Sequence, residues 1–384
     1  MESVKLTKKV CFIMTDAISY EMLCRGQLEY FKENLNFDMT FISGGDPKNV
    51  EKLVERKIGN IVDAKFVRKP SLLKDIKSLI TLTSYFSVNR FDLVVYSTPK
   101  ALLLGSLSTS LTRHKNTIAI IRGRAYENYN GRKRTLYQLL DKISLFNSKK
   151  VIFISKSLMD AYLKEGLVNQ KKSFLLGSGS SNGVNTDKFK PNSLLRKDID
   201  TLSYKEQFTV LIAGRICPDK GLYDLAKIVS LIKNPNIIFR LVGPIEDSES
   251  EEFLNFLKLK YSSIEHILYT NSIENYFQEA DLHLFLTHRE GFGNVAIEAA
   301  SCNVPTFAYD VVGVKDSVNE GVSGKKFAFQ DFESIANAID EASKDPSFKS
   351  KYPNARDWAI ESFEQQKVWN NYLSFYNFVL KQSS

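Results

Sequence analysis

The chain has 384 residues, 43% hydrophobic and 25% charged, with 52 Lys and Arg against 44 Asp and Glu, a formal charge of +8 and a pI near 9.0. At roughly 100 to 200 residues per domain this is globular material for two or three domains, and a disordered chain is excluded. The modest basicity suits anionic small molecules, an anionic membrane surface or nucleic acid, and does not choose among them.

The N-terminus, "MESVKLTKKVCFIMTDA", is basic, but its apolar run is only about five residues, too short for a signal-peptide core. It reads as a first strand. Short runs rich in Val, Ile and Phe follow in order: "FDMTFIS", "DLVVYS", "TIAII", "VIFIS" and "FLLG", then "FTVLIAG", "IIFRLVG", "HILY", "LHLFLT" and "VPTFAY". Most are continuously apolar, which predicts strands buried on both faces of a parallel sheet. Helix-length segments such as "SYEMLCRGQLEYFKENL" connect them, and this alternation predicts a doubly wound α/β fold. The pattern breaks at 186–207, which is polar, contains Pro191 and lacks a strand. The expected division is a first domain over 1–190, a linker over 191–207, a second domain over 208–363, and a helix over 364–384 returning to the first domain. Two Rossmann-like domains would face a central cleft, with ligands beyond the carboxyl ends of their strands.

The longest apolar stretch, "ALLLGSLSTSL", falls short of the ~20 residues of a spanning helix. Cys11, Cys24, Cys217 and Cys302 form no CxxC pair, as expected for reduced thiols in the cytoplasm. His114, His266, His283 and His288 show no metal spacing, and the pair Asp198 and Asp200 reads as linker charge.

"AGRICPDKGLYDLAKIV" runs from a strand into a helix. It is neither a Walker A loop nor a GxGxxG fingerprint. Gly214 permits a tight path, Pro218 marks a helix start and Asp219 is the expected cap. Arg215 and Lys220 place two cations beside a helix N-terminus, where a diphosphate would be stabilised. The plainer reading is a solvated turn with surface charges.

"THREGFGNVAIEAASCNVP" follows the strand "LHLFLT". Asn294 is the expected N-cap. Val295, Ala299 and Cys302 fall on one helical stripe, with Glu298 beside it. A carboxylate there costs free energy unless something binds it, and ribose hydroxyls would donate to it. Glu290, at the strand's carboxyl end, would accept from sugar hydroxyls. Gly291 and Gly293 let backbone N–H groups approach a phosphate. Charge-assisted bonds of this kind contribute roughly 1.5 to 3 kcal/mol each. The alternative is that Glu298 pairs with a buried cation and Glu290 is surface.

This stretch resembles the E-x7-E motif of retaining nucleotide-sugar glycosyltransferases of family 4, which have the GT-B fold. "GRICPDKG" resembles that family's diphosphate turn, and "DVVGVKDSVNEGVSGKKF" the segment that follows. The resemblance covers nearly the whole chain and is strongest from 208 to 327. It implies that Glu290 contacts the donor sugar, and that Gly214 and the segment Gly291, Phe292, Gly293, Asn294 and Val295 line the donor. It implies further that Glu298 holds the ribose, and that Arg215 and Lys220 neutralise the departing diphosphate. It implies retaining transfer without metal or cofactor, the acceptor attacking from the leaving-group face.

In the first half, "VVYSTPKALLLGSLSTSL", "IIRGRAYENYNGRKRTL" and "LLGSGSSNGVNTDKF" resemble the branch that builds bacterial capsule, O-antigen and lipid-linked glycans. Arg122 stands where the wider family has histidine. It implies a contact to the diphosphate or acceptor, and guanidinium is no base near neutral pH. Ser97 also replaces a histidine, and Asn185 an aspartate. Ser19, Tyr20, Thr98, Lys100 and Asn182 are the expected acceptor-side residues, with Arg25 and Gln27 on the nearby helix. The implied partners are a nucleotide-sugar, with UDP as its nucleotide, and a saccharide on undecaprenyl diphosphate at the inner face of the plasma membrane. The basic stretches "RKPSLLKDIKSLI" and "GRKRTLYQLLDKI" would rest on anionic headgroups, or are ordinary amphipathic helices of the fold. Two other functions fit the same architecture: a non-hydrolysing nucleotide-sugar epimerase, and a catalytically silent scaffold. No nucleic-acid motif accompanies the charge.

Overall fold

The computed structural model describes residues 7–35, 37–192 and 207–382. It contains two compact units: residues 1–182 with 366–384, and residues 183–365. Residues 183–190, expected in the first domain, lie in the second unit. Val184 bridges to Glu364 there, and Arg356 donates to the carbonyls of Phe189, at 2.9 Å, and Thr186, at 3.0 Å. Most of the expected linker, with Asp198 and Asp200, lies outside the described residues.

The first unit holds a seven-stranded parallel sheet in the order β3-β2-β1-β4-β5-β6-β7. Its strands are β1 (Lys8–Ile13), β2 (Phe37–Ser43), β3 (Asn60–Asp63), β4 (Leu93–Ser97), β5 (Thr117–Ile121), β6 (Lys150–Phe153) and β7 (Ser173–Leu175). The second holds six parallel strands in the order β10-β9-β8-β11-β12-β13. These are β8 (Phe208–Ala213), β9 (Ile237–Val242), β10 (Ile264–Ile267), β11 (Leu282–Phe285), β12 (Thr306–Tyr309) and β13 (Gly324–Phe327). Every residue of β4 and β5 is buried, as continuous apolar runs between two helix layers require. The strands without a continuous apolar run, β3, β10 and β13, are all edges, where one side of the ladder is unpaired.

Strand order reverses between β1 and β4 in the first sheet and between β8 and β11 in the second. Loops leaving the carboxyl ends of such neighbours part to opposite faces and leave a crevice. In the second unit β8 and β11 run parallel, with Val210 opposite Leu282 and Leu211 opposite His283. Their outgoing loops are the two charged turns read from the sequence.

Candidate active site

After β8 the backbone turns at Gly214, whose φ of 140° favours glycine; a Cβ there would meet nothing within 4 Å, so that side is open. Arg215 pairs with Glu246 at 2.5 Å. Pro218–Lys220 form one 3-10 turn, and the helix Leu222–Leu231 starts behind Gly221, at φ 84°. Asp219 therefore caps no helix. It instead accepts from Arg289 Nε and Nη2, at 2.9 and 2.5 Å, because the turn points it at the neighbouring loop.

The loop after β11 is fastened to this turn at several points. The His288 N–H donates to the Asp219 carbonyl at 2.9 Å. Lys220 Nζ donates to Glu290 Oε1, and lies 3.4 Å from Thr287 Oγ1. The Lys220 and Glu290 side chains are 22% and 23% exposed, so their attraction is screened less than that of a surface pair. Thus the two charges assigned to the diphosphate and the sugar neutralise each other across the crevice.

Behind them His288 Nε2 bonds Asp224 Oδ2, which also accepts from the Tyr309 hydroxyl. Asp224 is buried on the apolar stripe of its helix, beside Leu222, Leu225 and Ile228. Sequence reasoning passed over Asp224 and Tyr309 and weighed His288 only as a metal ligand; an acid within an apolar stripe was the available signal. It also passed over Gly313, at φ 86°, where a Cβ would lie 2.5 Å from the Glu290 carbonyl oxygen. Its absence lets the next loop press against the Glu290–Gly291 backbone.

The helix Asn294–Ser301 follows. Its N-cap is Gly293, at φ 92°, so Asn294 is the first helical residue rather than the cap. A Cβ on Gly293 would strike the Phe285 ring at 2.7 Å, which is why glycine makes this entry. Ala296, Ile297, Ala299 and Ala300 are buried, whereas Asn294, Val295 and Glu298 share the partly open face. Val295 lies about 40° round the helix from Ala299 and is itself partly buried, packed against the cluster of Phe285, Ala296, Ala308, Val314 and Val318. Phe292, expected along the donor, is 1% exposed and packs on Phe363 with ring centroids 5.0 Å apart. It supports the loop as core. Gly291 is buried backbone. Burial pushes the Glu298 carboxyl up to about 7, against the pull of the Lys188 charge. Lys188 itself pairs with Glu274 at 3.2 Å. No side chain among the described residues hydrogen-bonds the Glu298 carboxylate.

In the first unit Arg122 leaves the end of β5 and donates to Ser97 Oγ, at the end of β4, at 2.8 Å. Its Nη2 is 3.5 Å from Cys24 Sγ, and its buried Nη1 has no partner among the described residues. The other acceptor-side expectations divide differently. Tyr20 is fully buried, its hydroxyl held by the carbonyls of Phe12 (2.9 Å) and Ile42 (3.1 Å). Thr98, at φ 75°, bonds Thr15 through its hydroxyl at 2.8 Å. Lys100 is consumed by Asp75 at 2.6 Å and by the Val67 and Lys69 carbonyls. The Asn182 amide donates to the Arg25 carbonyl at 3.1 Å and accepts from Trp369 Nε1 at 2.8 Å. These four hold the unit together; their polar atoms are satisfied from within. Ser19 is partly exposed, Arg25 pairs with Glu21 at 3.2 Å, and Gln27 is buried against the Ser181 carbonyl. Of this set, Arg122 is the one whose buried side-chain donor has no partner among the described residues.

Among the described residues no group of three or more His, Cys, Asp or Glu is placed to hold a metal ion, and no helix is long and apolar enough to cross a membrane. His283 is packed between Phe277 and Phe285. All four cysteines are buried and free.

Residues 196–359 match the family described as glycosyl transferases group 1. The chain is 30% identical over 381 residues, 98% of each chain, to the capsular polysaccharide biosynthesis glycosyltransferase CapM of Staphylococcus aureus. It is 24% identical over 311 residues to an Escherichia coli enzyme, UDP-Gal:alpha-D-GlcNAc-diphosphoundecaprenol alpha-1,3-galactosyltransferase, covering 77% of this chain and 78% of that one. Among solved structures it is similar to Anabaena Alr3699/HepE in complex with UDP, with a TM-score of 0.76 and 17% identity over 97% of this chain and all of that one. Sucrose-phosphate synthase from Thermosynechococcus elongatus gives 0.78 and 18% over 98% of this chain and all of that one.

Proposed function

Since the chain belongs to the family of glycosyl transferases group 1, and is a glycosyltransferase of GT-B fold, we propose that it transfers a sugar from a UDP-sugar to a saccharide on undecaprenyl diphosphate, in the synthesis of a bacterial surface polysaccharide. The donor is held by the second unit and the reaction retains anomeric configuration, as in family 4. The observation that carries this reading is the Lys220–Glu290 pair across the crevice between β8 and β11, with the largely buried Glu298 on the partly open face of the helix behind it.

A diphosphate entering that crevice competes for Lys220. Its oxygens draw the ammonium away from Glu290, and the freed carboxylate accepts from hydroxyls of the transferred sugar. Arg215, and the N–H groups at the start of the helix from Asn294, complete a cationic wall for the departing diphosphate. Glu298 accepts from the ribose diol, which favours its ionised form. No metal is assigned a part. Arg122, with an unused donor at the carboxyl edge of the first sheet, takes the acceptor's diphosphate.

Calorimetric titration of UDP, GDP and ADP into wild type and Glu298→Ala tests the donor assignment. UDP binding that is lost in the variant supports it; no binding of any nucleotide by folded protein overturns it. The anomeric configuration of the product from UDP-sugars and a polyprenyl-diphosphate saccharide then tests retention. Epimerised donor in the absence of acceptor would establish the epimerase instead.

A further inference from the structure

The helix Leu72–Val88 carries two apolar stripes. One, with Leu82 and Phe86, is buried, and the helix packs on its neighbour Pro99–Leu111. The other, Leu72, Leu73, Ile76 and Ile80, faces outward, with exposures of 78, 82, 46 and 61%. At roughly 100° per residue these four side chains fall within one arc of about 100°. An ordinary helix of an α/β layer turns its single apolar stripe to the sheet, so the second stripe is surplus to the fold.

The charge around the stripe is one-sided. Lys77 is exposed on its border, Lys74 is exposed farther round the helix, and Arg68 and Lys69 precede the helix. The one acid of the helix, Asp75, is neutralised by Lys100 at 2.6 Å. The helix Gly131–Phe146, on the other flank of Pro99–Leu111, repeats the pattern: Leu136, Leu139 and Phe146 are exposed, among Arg132, Lys133 and Lys142.

The position of the stripe also matters. Lys100, two residues beyond the Thr98 that follows β4, holds the carbonyl of Lys69 and the carboxylate of Asp75. The exposed end of the helix is thereby fixed at the carboxyl edge of the first sheet, the edge that carries Ser97 and Arg122.

We infer that this face docks on an anionic lipid bilayer, with Leu72, Leu73, Ile76 and Ile80 in the headgroup–acyl boundary and the flanking lysines and arginines on the headgroup phosphates. The inference rests on the proposed lipid-linked acceptor for its purpose. A bilayer at this edge delivers a polyprenyl diphosphate to Arg122 without extracting its tail.

The test is sedimentation of the full chain with vesicles of phosphatidylglycerol and phosphatidylcholine, and with phosphatidylcholine alone, in the absence of donor and acceptor. Wild type is expected to partition to the anionic vesicles and to be released by salt. Leu72→Ser with Leu73→Ser and Ile76→Ser, and separately Lys74→Glu with Lys77→Glu, are each expected to lower partition at least about tenfold. Both sets lie at the surface and should leave the thermal midpoint unchanged. Three results would overturn the inference: no partition at low salt, undiminished partition by the serine variant, or a vesicle-free dimer of wild type that the serine variant dissolves. The last would give this face to a second copy. Vesicle binding is read without turnover, so it can stand while the transferase reading fails. Conversely, turnover of a short-chain soluble acceptor by a chain that binds no vesicle would leave the transferase reading intact and sink only the surface.

Discussion

His288 Nε2 lies 2.7 Å from Asp224 Oδ2, the oxygen that also accepts the Tyr309 hydroxyl at 3.0 Å. Burial would raise the Asp224 carboxyl, but the His288 hydrogen bond and charge hold it below its ordinary value. A buried acid on the helix Leu222–Leu231 thus anchors the loop that carries Glu290, two residues beyond His288. His288→Ala is expected to lower kcat and raise the donor KM, by about ten- to a hundredfold in kcat/KM, because a loosened loop misplaces Glu290. His288→Gln, which keeps a donor for Asp224, should recover much of the loss. Steady-state kinetics of the two variants measures the difference.

Lys220 and Glu290 should behave as one unit. Lys220→Met is expected to reduce kcat about a hundred- to a thousandfold, as removal of a single charge-stabilising donor does. Glu290→Gln should give a loss of similar order. The double variant should be far less impaired than the product of the two, because each single change leaves a partly buried charge without its partner. A double-mutant cycle on kcat/KM would show additivity if the pair were incidental.

Glu298 makes the stability of the second unit depend on pH. Its folded value of about 7 lies above the ordinary value of 4.5, so the folded state holds the proton more tightly. That stabilisation is complete below about pH 4.5 and is lost as pH rises through 7. Glu298→Gln should therefore gain on wild type at pH 8, by roughly 1 to 3 kcal/mol, and show no gain near pH 4.5. Urea melts at both values would measure it. The same variant should bind UDP more weakly, since an amide accepts from the ribose less strongly than a carboxylate.

His283 gives the opposite slope. Burial holds its imidazole down to about 3, against an ordinary 6.5. Between those values the unfolded chain binds the proton and the folded chain does not, so stability falls as pH drops below 6.5. The contribution at pH 5 is a loss of roughly 2 kcal/mol. His283→Leu should remove this part of the acid sensitivity, seen as a smaller change in urea midpoint between pH 7 and pH 5.

By itself the sequence determined the class of the fold and the two loops that matter. Continuous runs such as "LVVYS" and "TIAII" are buried because parallel strands between helix layers meet apolar side chains on both faces. The acid and glycines of "HREGFGN" and the cations of "GRICPDK" were legible because charge beside a helix start is chemically unusual whatever surrounds it. Their partners were not. Asp219, which reads as a cap, binds Arg289; Lys220 binds Glu290; Asp224 and His288 are 64 positions apart. Tyr20, Thr98, Lys100 and Asn182 look like polar residues free for a ligand, and the folded chain spends each on its own hydrogen bonds. A hydrogen bond has a reach of about 3 Å, and which groups come within it is decided by the packing of strands distant in sequence. Local spacing records the chemistry a residue can offer; only the tertiary structure decides whether that offer is already taken.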